Sequence, residues 1–333
     1  MKKHLSAIFA IALLAALVLS ACSKEEQPVP SETAVPVSSP TADPHEGEVE
    51  VLDPEGGTMW VPEAPSLKVF GRTATDFNVT DQIPSYAGQG LTMRRGIDVS
   101  DHQQDIDWQA VADYGIEFAI IRCGYRSYSE GSLHEDNRFR QNIQGALDAG
   151  LDVGVYFFSQ ATNILEAAEE AVFTVRLIED YNVTLPVFFD WENIGVEAAR
   201  TDNLDGETLT ACCLEFCELV KAAGYEPGMY SYLNLAYYIY QLDKLQGITL
   251  WMGDPGTKPI FYFDHRFWQY SYTATVPGIG VDVDLDAMYI RPGEDPTPSP
   301  APTSVPTPAP TAVPAAVLAQ EEQGQVFSDN AVG

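Results

Sequence analysis

Two carboxylates stand two positions apart in an otherwise apolar segment of the chain. The segment is VFFDWENIG, residues 187–195, and it surrounds Asp190 and Glu192 with valine, phenylalanine and tryptophan side chains. Residues i and i+2 of a β-strand point to the same face, so a strand would hold the two carboxyls side by side. Burial and mutual repulsion would then raise their pKa values. Such a pair is a candidate for general acid and base chemistry.

Two further acids lie in apolar segments of the same kind, Asp98 in GIDVS and Asp284 in GVDVDLD. Aromatic faces stack on the apolar faces of sugars, while acids and amides bond to sugar hydroxyls. A glycosidic bond needs one carboxyl that donates a proton and a nearby negative charge. Glu192 as the acid and Asp190 as the ionised partner fits these needs, and the sequence leaves the reverse order open. The candidate sugar-binding side chains are Tyr125, Tyr156, Tyr230, Trp251, Trp268 and Gln269.

Residues 93–291 alternate apolar runs with helical patterns, which indicates βα units around a parallel sheet. Helices are predicted at 107–114, 135–149, 164–181, 204–223 and 235–245, and none follows the sixth strand. The prediction is therefore an α/β fold, an irregular TIM-like (β/α) barrel of eight strands with an incomplete ring of helices. In such barrels the active site lies at the C-terminal ends of the strands, where these acids fall. The predicted strands are 95–100, 118–125, 152–159, 185–192, 226–232, 248–254, 266–271 and 283–290.

The two ends of the chain differ from this domain in composition. Residues 1–22 combine a basic start, an apolar run and small residues before Cys22, which is typical of a secretory signal. Its last four residues, LSAC, resemble the bacterial lipobox, which implies a lipid on Cys22 and anchoring at the outer face of the cytoplasmic membrane. An uncleaved anchor helix is the alternative. Residues 23–65 are predicted to be a disordered tether, residues 66–92 an unassigned arm and residues 292–333 a disordered tail. Within residues 51–92, an extended arm and a small strand pair both stay open.

The net charge argues against nucleic-acid binding, and the cysteine spacing argues against a metal site. The chain carries 18 Lys and Arg against 48 Asp and Glu, a net charge of −30, which would repel nucleic acid. Cys213 and Cys217 have the i, i+4 spacing of metal ligands on a helix, but no histidine or further cysteine nearby completes a site. Buried packing is the preferred interpretation. We expect a monomer.

Five motifs together resemble glycoside hydrolase family 25, the bacterial and phage lysozymes. The resemblance implies that Asp98, Asp190, Glu192 and Asp284 are the four active-site acids, and it implies no metal or organic cofactor. It implies hydrolysis of the β-1,4 bond between N-acetylmuramic acid and N-acetylglucosamine in peptidoglycan, with Glu192 as general acid/base. Asp190 would steady the 2-acetamido group of the substrate, whose oxygen attacks. The motifs are RRGIDVSDHQQDIDW (94–108), GVYFFSQA (154–161), LPVFFDWEN (185–193), GYEPGMYSY (224–232) and FWQYSYTATVPGIGVDVDLD (267–286).

The sequence departs from the family pattern at three places. Gln104 stands where a glycine is common, Asp286 stands where an asparagine is usual, and LWMGDPG (250–256) lacks the usual continuation after Trp251. Two other functions stay open at this point. One is a peptidoglycan-binding protein without catalysis, and the other is a hydrolase of another N-acetylated glycan such as chitin.

Overall fold

The computed structural model describes residues 43–80, 83–196 and 198–293, and Cys22, residues 23–42 and the tail from 294 lie outside them. Nine of the strands form one sheet, and two short hairpins precede it. The strands are Glu48–Leu52 (β1), Thr58–Pro62 (β2), Phe77–Thr80 (β3), Ile83–Tyr86 (β4), Thr92–Val99 (β5), Phe118–Arg126 (β6), Leu133–Glu135 (β7), Asp152–Ser159 (β8), Val187–Trp191 (β9), Pro227–Tyr232 (β10), Thr249–Gly253 (β11), Phe267–Ala274 (β12) and Val283–Ile290 (β13).

Five α-helices lie between the early strands, where the sequence pattern predicts them. Asp107, Asn163 and Asp205 cap three of these helices by accepting backbone N–H bonds, which satisfies donors that the first turn leaves open. The helix predicted at 235–245 ends at Tyr238 and a short 3-10 turn follows, because aromatic and β-branched residues here favour the helix weakly. The helices are Trp108–Asp113 (α1), Phe139–Asp148 (α2), Ile164–Ile178 (α3), Gly206–Ala222 (α4) and Leu233–Tyr238 (α5).

The sheet closes into an eight-stranded barrel, which confirms the predicted fold class. The strand order is β5-β13-β12-β11-β10-β9-β8-β6, with β5 paired to β6 and with β7 added outside β6. One feature differs from the predicted parallel sheet, since β13 pairs antiparallel with both of its neighbours. Asp284 therefore lies near the beginning of its strand, and this end of β13 meets the C-terminal ends of the other strands.

Side chains separate into two layers according to strand alternation. Phe118, Phe188, Trp251 and Phe267 fill the barrel interior, with the rings of Phe188 and Phe267 5.3 Å apart. The outward positions pack against the helices, and β9 is buried along its whole length because both of its faces are covered. In α4, Cys213 is buried with its neighbours as a small apolar residue. The interior positions nearest the C-terminal ends carry the polar groups.

The segment before the barrel covers the sector that lacks helices. The hairpin of β1 and β2 buries Val51 and Val61, and the ring of Phe77 packs against Trp268 on the outside of β12. Thus the predicted tether is wrong for residues 48–62, which belong to the folded domain. The Pro- and Glu-rich composition obscured a period-two pattern in EVEVL and TMWVP. Across the part of the chain that the structure describes, no helix has the length and apolar character needed to cross a bilayer.

Candidate active site

Four acids predicted from the sequence lie together at one end of the barrel. Asp98 is on β5, Asp190 is on β9, Glu192 directly follows β9, and Asp284 is on β13. All four line one cavity of about 570 Å³. Asp98 and Asp190 lie deep in it, with 7% and 4% of their surface exposed, whereas Glu192 is half-buried at the opening. The cavity therefore offers carboxyls at two depths to a ligand.

Aromatic rings and one amide complete the floor and walls of the cavity. Four of the predicted sugar-binding residues, Tyr156, Tyr230, Trp251 and Gln269, line it. The Trp251 ring lies 4.7 Å from that of Tyr230 and 5.9 Å from that of Tyr156. The three rings form one continuous apolar surface beside the acids, which suits the faces of a sugar.

Two of the predicted sugar-binding residues do not line the cavity. Trp268 is fully buried on the outside of the barrel, where its indole N–H donates to the carbonyl oxygen of Asp254 at 2.7 Å. It precedes Gln269, which points inward, so alternation along the strand excludes an inward Trp268. Tyr125 stacks on His134 with ring centroids 5.1 Å apart, next to the cavity rather than in it. Both are corrections to the prediction.

Asp190 and Glu192 form an electrostatically linked pair. Burial raises the pKa of Asp190 well above its usual range, and the neighbouring Glu192 raises it further. Burial also raises the pKa of Glu192. The Arg122 guanidinium acts in the opposite direction on Asp190, where it favours the ionised form. Because the two carboxyls interact, their protons titrate as a pair, and Arg122 partly offsets the cost of a negative charge on Asp190.

The opposite wall is a hydrogen-bonded chain of polar side chains. The amide of Gln269 donates to Asp98 Oδ2 at 2.7 Å and to Asp284 Oδ2 at 3.0 Å. The Tyr230 hydroxyl donates to Gln269 Oε1 at 2.7 Å, which fixes the orientation of the amide. Burial, and then the charge of Asp98, raises the pKa of Asp284 to about 8. This wall thus holds two acids in fixed positions across the cavity from Asp190 and Glu192.

Arg122 is a site residue that the sequence analysis missed. It lines the cavity from β6, and its guanidinium donates to Asp101 at 2.6 Å and to Asp136 at 2.7 Å. An arginine in the apolar strand FAIIRCGY was the available signal, because a buried cation requires carboxylate partners. Tyr272 was also missed, and it lines the cavity from an irregular part of β12 where alternation is interrupted.

The loop after β5 brings further groups to the opening. Ser100 and Gln103 form a reciprocal cap on a 3-10 turn, and Gln103 lines the cavity. At the end of this turn Gln104 has a φ of +58°, in the left-handed region that glycine adopts at low cost. This geometry accounts for the glycine that is common at this position of the family pattern.

Gln160 connects the strand before the acid pair to the segment that follows it. Its amide N–H donates to the carbonyl oxygen of Glu192 at 3.2 Å, and its Oε1 accepts from Thr201 at 2.8 Å. Arg200 donates to the backbone oxygen of Gln160 at 2.7 Å and pairs with Glu166 at the start of α3. Gln160 is fully buried, so these bonds hold the backbone of Glu192 in place.

The buried acids predict a stability that falls as the pH rises. Burial raises the pKa of Asp286 and Asp284 to about 8 and that of Asp254 to about 6. A carboxyl whose pKa is higher in the folded state stabilises the fold fully below its unfolded pKa, and this contribution is lost as the pH passes the folded pKa. Each such group loses about 1.4 kcal/mol per pH unit up to its folded pKa, so between pH 5 and pH 8.5 we expect the free energy of unfolding to fall by several kcal/mol, on the order of 5 or more.

Urea unfolding at a series of pH values measures this change. In Asp284→Asn the amide does not ionise, so the loss between pH 5 and pH 8.5 should be smaller. An exposed replacement, Asp148→Asn on α2, serves as the control and should leave the slope unchanged. Constant or rising stability across this range in the unmodified protein would contradict the burial of these acids.

No group of three His, Cys, Asp or Glu residues is arranged to hold a metal ion in the part of the chain that the structure describes. The cysteines that fall within it, Cys123, Cys212, Cys213 and Cys217, are free and buried. Burial raises the pKa of Cys123 and Cys212 to about 12, which keeps both as thiols.

Comparison with known proteins gives a family match and several relatives. The family described as glycosyl hydrolases family 25 matches residues 97–279. An autolytic lysozyme of Clostridium acetobutylicum is 26% identical over 195 residues, and lysozyme M1 of Streptomyces globisporus is 28% identical over 201 residues. The alignments cover 58% and 57% of this chain and 55% and 66% of those proteins. The chain thus spans about half to two thirds of these relatives.

A solved structure supports the fold independently. The modular autolysin LytC from Streptococcus pneumoniae, in complex with a synthetic peptidoglycan ligand, aligns with a TM-score of 0.54 and 22% sequence identity. The alignment covers 74% of this chain and 57% of that chain. At this identity the similarity establishes a shared barrel architecture and no more.

Proposed function

The chain belongs to glycosyl hydrolases family 25, and from this we propose that it is a lysozyme, an N-acetylmuramidase. It would hydrolyse the β-1,4 bond between N-acetylmuramic acid and N-acetylglucosamine in peptidoglycan. The observation that carries the proposal is the linked Asp190–Glu192 pair, which faces a cavity with an aromatic floor. The names of the two lysozyme relatives support the same activity.

Glu192 is the proposed general acid and base. It lies at the opening of the cavity, so its carboxyl can reach the oxygen that links two sugar rings in the cleft. Its raised pKa keeps the proton available near neutral pH, since burial disfavours the charged form. In the first step this proton goes to the glycosidic oxygen while the bond from that oxygen to C1 of the muramic acid ring breaks.

Asp190 is the proposed stabiliser of the substrate's 2-acetamido group. As the C1–oxygen bond breaks, the acetamido oxygen bonds to C1 and its nitrogen becomes positively charged, which a neighbouring ionised carboxylate favours. Water then attacks C1, Glu192 takes its proton, and the acetamido group is released. The position of Asp190 below Glu192 and beside Arg122 supports this division of roles.

Asp98 and Asp284 are proposed to position the substrate and to set the charge of the site, together with Gln269. Tyr156, Tyr230 and Trp251 would stack against the sugar rings. The proposed partner is the glycan strand of peptidoglycan, which lies outside the cytoplasm. We also propose that residues 1–22 direct export, that Cys22 carries a lipid and that the protein is a monomer. Cys22 lies outside the described residues.

Release of reducing ends from purified peptidoglycan tests the proposed activity. We expect the full-length protein to release them between about pH 4 and pH 8, the range over which a carboxyl acid/base pair works. Chitin oligomers and peptidoglycan are compared side by side. Turnover of chitin alone would indicate a different N-acetylated substrate, and binding without turnover of either glycan would indicate a non-catalytic cleft.

Gln160→Leu is expected to lower kcat about tenfold with little change in KM, because it removes the bonds that hold Glu192 and Thr201 while keeping the side-chain size. Steady-state kinetics on soluble peptidoglycan fragments measure both constants. Gln144→Leu, an exposed position on α2, is the matched control. An equal loss in both variants, or a change in KM alone, would contradict the positioning role of Gln160.

A further inference from the structure

Asp286 is a buried acid that lies behind the proposed active site. It points into the barrel from β13, two positions after Asp284, and none of its surface is exposed. The Trp251 indole N–H donates to its Oδ1 at 2.7 Å. Its Oδ2 is buried and accepts no N–H or hydroxyl bond. A buried carboxylate oxygen left in this way is costly unless a proton supplies the missing bond.

Asp98 is the acid in contact with Asp286. The carboxyls of Asp98 and Asp286 are in hydrogen-bonding contact, and each alters the pKa of the other. The other side of Asp98 accepts the Gln269 amide at 2.7 Å, while Trp251 holds the other side of Asp286. The two acids are therefore fixed toward each other by donors at both ends.

The surroundings of the two acids supply negative rather than positive charge. Burial is the main cause that raises the pKa of both Asp98 and Asp286. Arg122, the guanidinium that lines the cavity, is already bonded to Asp101 and Asp136. Two ionised carboxylates in contact within such a site repel strongly. The other titratable groups that act on the two acids are Asp284 on β13, Glu192 after β9, Asp190 on β9, Tyr156 on β8, Tyr230 on β10 and Tyr270 on β12.

We propose that Asp98 and Asp286 share a single proton, and that Asp286 is a positioning residue that holds Asp98 in the wall of the cavity. The pair then carries one negative charge, and the shared proton occupies the contact between the two carboxyls. Trp251 and Gln269 supply the remaining hydrogen bonds, so the pair is a connected polar unit.

The pair would limit the negative charge below the substrate. With both acids ionised, the added charge would oppose ionisation of Asp190, which contributes to the proposed mechanism in its charged form. A shared proton lowers the repulsion between the carboxyls of Asp98 and Asp286, and Asp98 keeps its hydrogen bond from Gln269. This inference rests on the proposed function for its consequence, but the shared proton itself can be measured without turnover.

Carbon-13 NMR of the aspartate carboxyl carbons in the full-length protein tests the proposal. We expect the Asp98 and Asp286 resonances to titrate with the same two midpoints, because the protons belong to the pair. In Asp286→Asn the amide donates to Asp98 and removes the neighbouring charge, so Asp98 should titrate in one step. Its midpoint should fall by about one pH unit or more. Asp148→Asn, on the surface of α2, is the control.

Independent single-step titrations of the two acids in the unmodified protein would overturn the proposal. An unchanged Asp98 midpoint in Asp286→Asn would overturn it as well. Should that variant fail to fold, the titration of the unmodified protein decides alone. A protein that shows the shared titration but cuts no glycan would refute the proposed function while the proton-sharing pair stands.

Steady-state kinetics distinguish a positioning role of Asp286 from a role in packing alone. Asp286→Ala removes the partner of the Trp251 N–H and leaves Asp98 with its Gln269 bond alone, whereas Asp286→Asn keeps a bond to each. We expect kcat to be about tenfold lower in Asp286→Ala than in Asp286→Asn. Equal rates in the two variants would contradict a positioning role for Asp286.

Discussion

Replacing Glu192 with glutamine should lower kcat by about 10²–10⁴-fold, the range in which general acid and base catalysis contributes. Glutamine has nearly the same shape but cannot give a proton to the glycosidic oxygen or take one from water. KM should change little, because the side chain lies at the opening and the aromatic floor is untouched. Reducing-end release from peptidoglycan measures the rate.

Glu218→Gln makes the same chemical change at an exposed position of α4 and should retain full activity. Binding of peptidoglycan fragments to Glu192→Gln should be retained, which separates the loss of chemistry from the loss of the fold. A variant at Glu192 that keeps more than a tenth of the activity would assign the proton transfer to another group.

Replacing Asp190 with asparagine should lower kcat by about 10²-fold or more, because the charge that favours the acetamido intermediate is lost. The same change should alter the pH profile. Without a negative neighbour Glu192 loses its proton more readily, so the alkaline limb of the kcat profile should move to lower pH. A profile of kcat from pH 4 to pH 9 measures both effects.

Asp180→Asn, at an exposed position after α3, is the control for this change. If Asp190→Asn reduced kcat but left the alkaline limb in place, Asp190 and Glu192 would not be electrostatically linked. If it raised KM alone, Asp190 would serve in binding rather than in stabilising the intermediate.

Much of the barrel could be predicted because its strands carry local signals. The apolar run VFFDW marks a strand covered on both faces, and alternation then brings Asp190 and Glu192 to the same side. Consecutive residues of a strand point to opposite faces, so Trp268 and Gln269 cannot both point into the barrel. The prediction that both bind sugar was therefore wrong for one of them, Trp268. The antiparallel direction of β13 could not be predicted from local alternation, because it depends on pairing with β5, which is distant in sequence.

The residues that were missed depend on tertiary contacts. The hairpin of β1 and β2 is stable because it buries Val51 and Val61 and packs against α5, although its own composition resembles a linker. Arg122 becomes a site residue through carboxylates on two other segments. Asp286 was noted as a departure from the family pattern, but its contact with Asp98 requires the antiparallel register of β13 and β5.

The identity of the new reducing sugar tests the central claim most directly. Peptidoglycan is digested with the full-length protein and with Glu192→Gln, the ends are reduced with borohydride, and the products are analysed by mass spectrometry. The account predicts reduced N-acetylmuramic acid ends with the unmodified protein and almost none with the variant. Reduced N-acetylglucosamine ends, or equal products from both proteins, would contradict a muramidase that acts through Glu192.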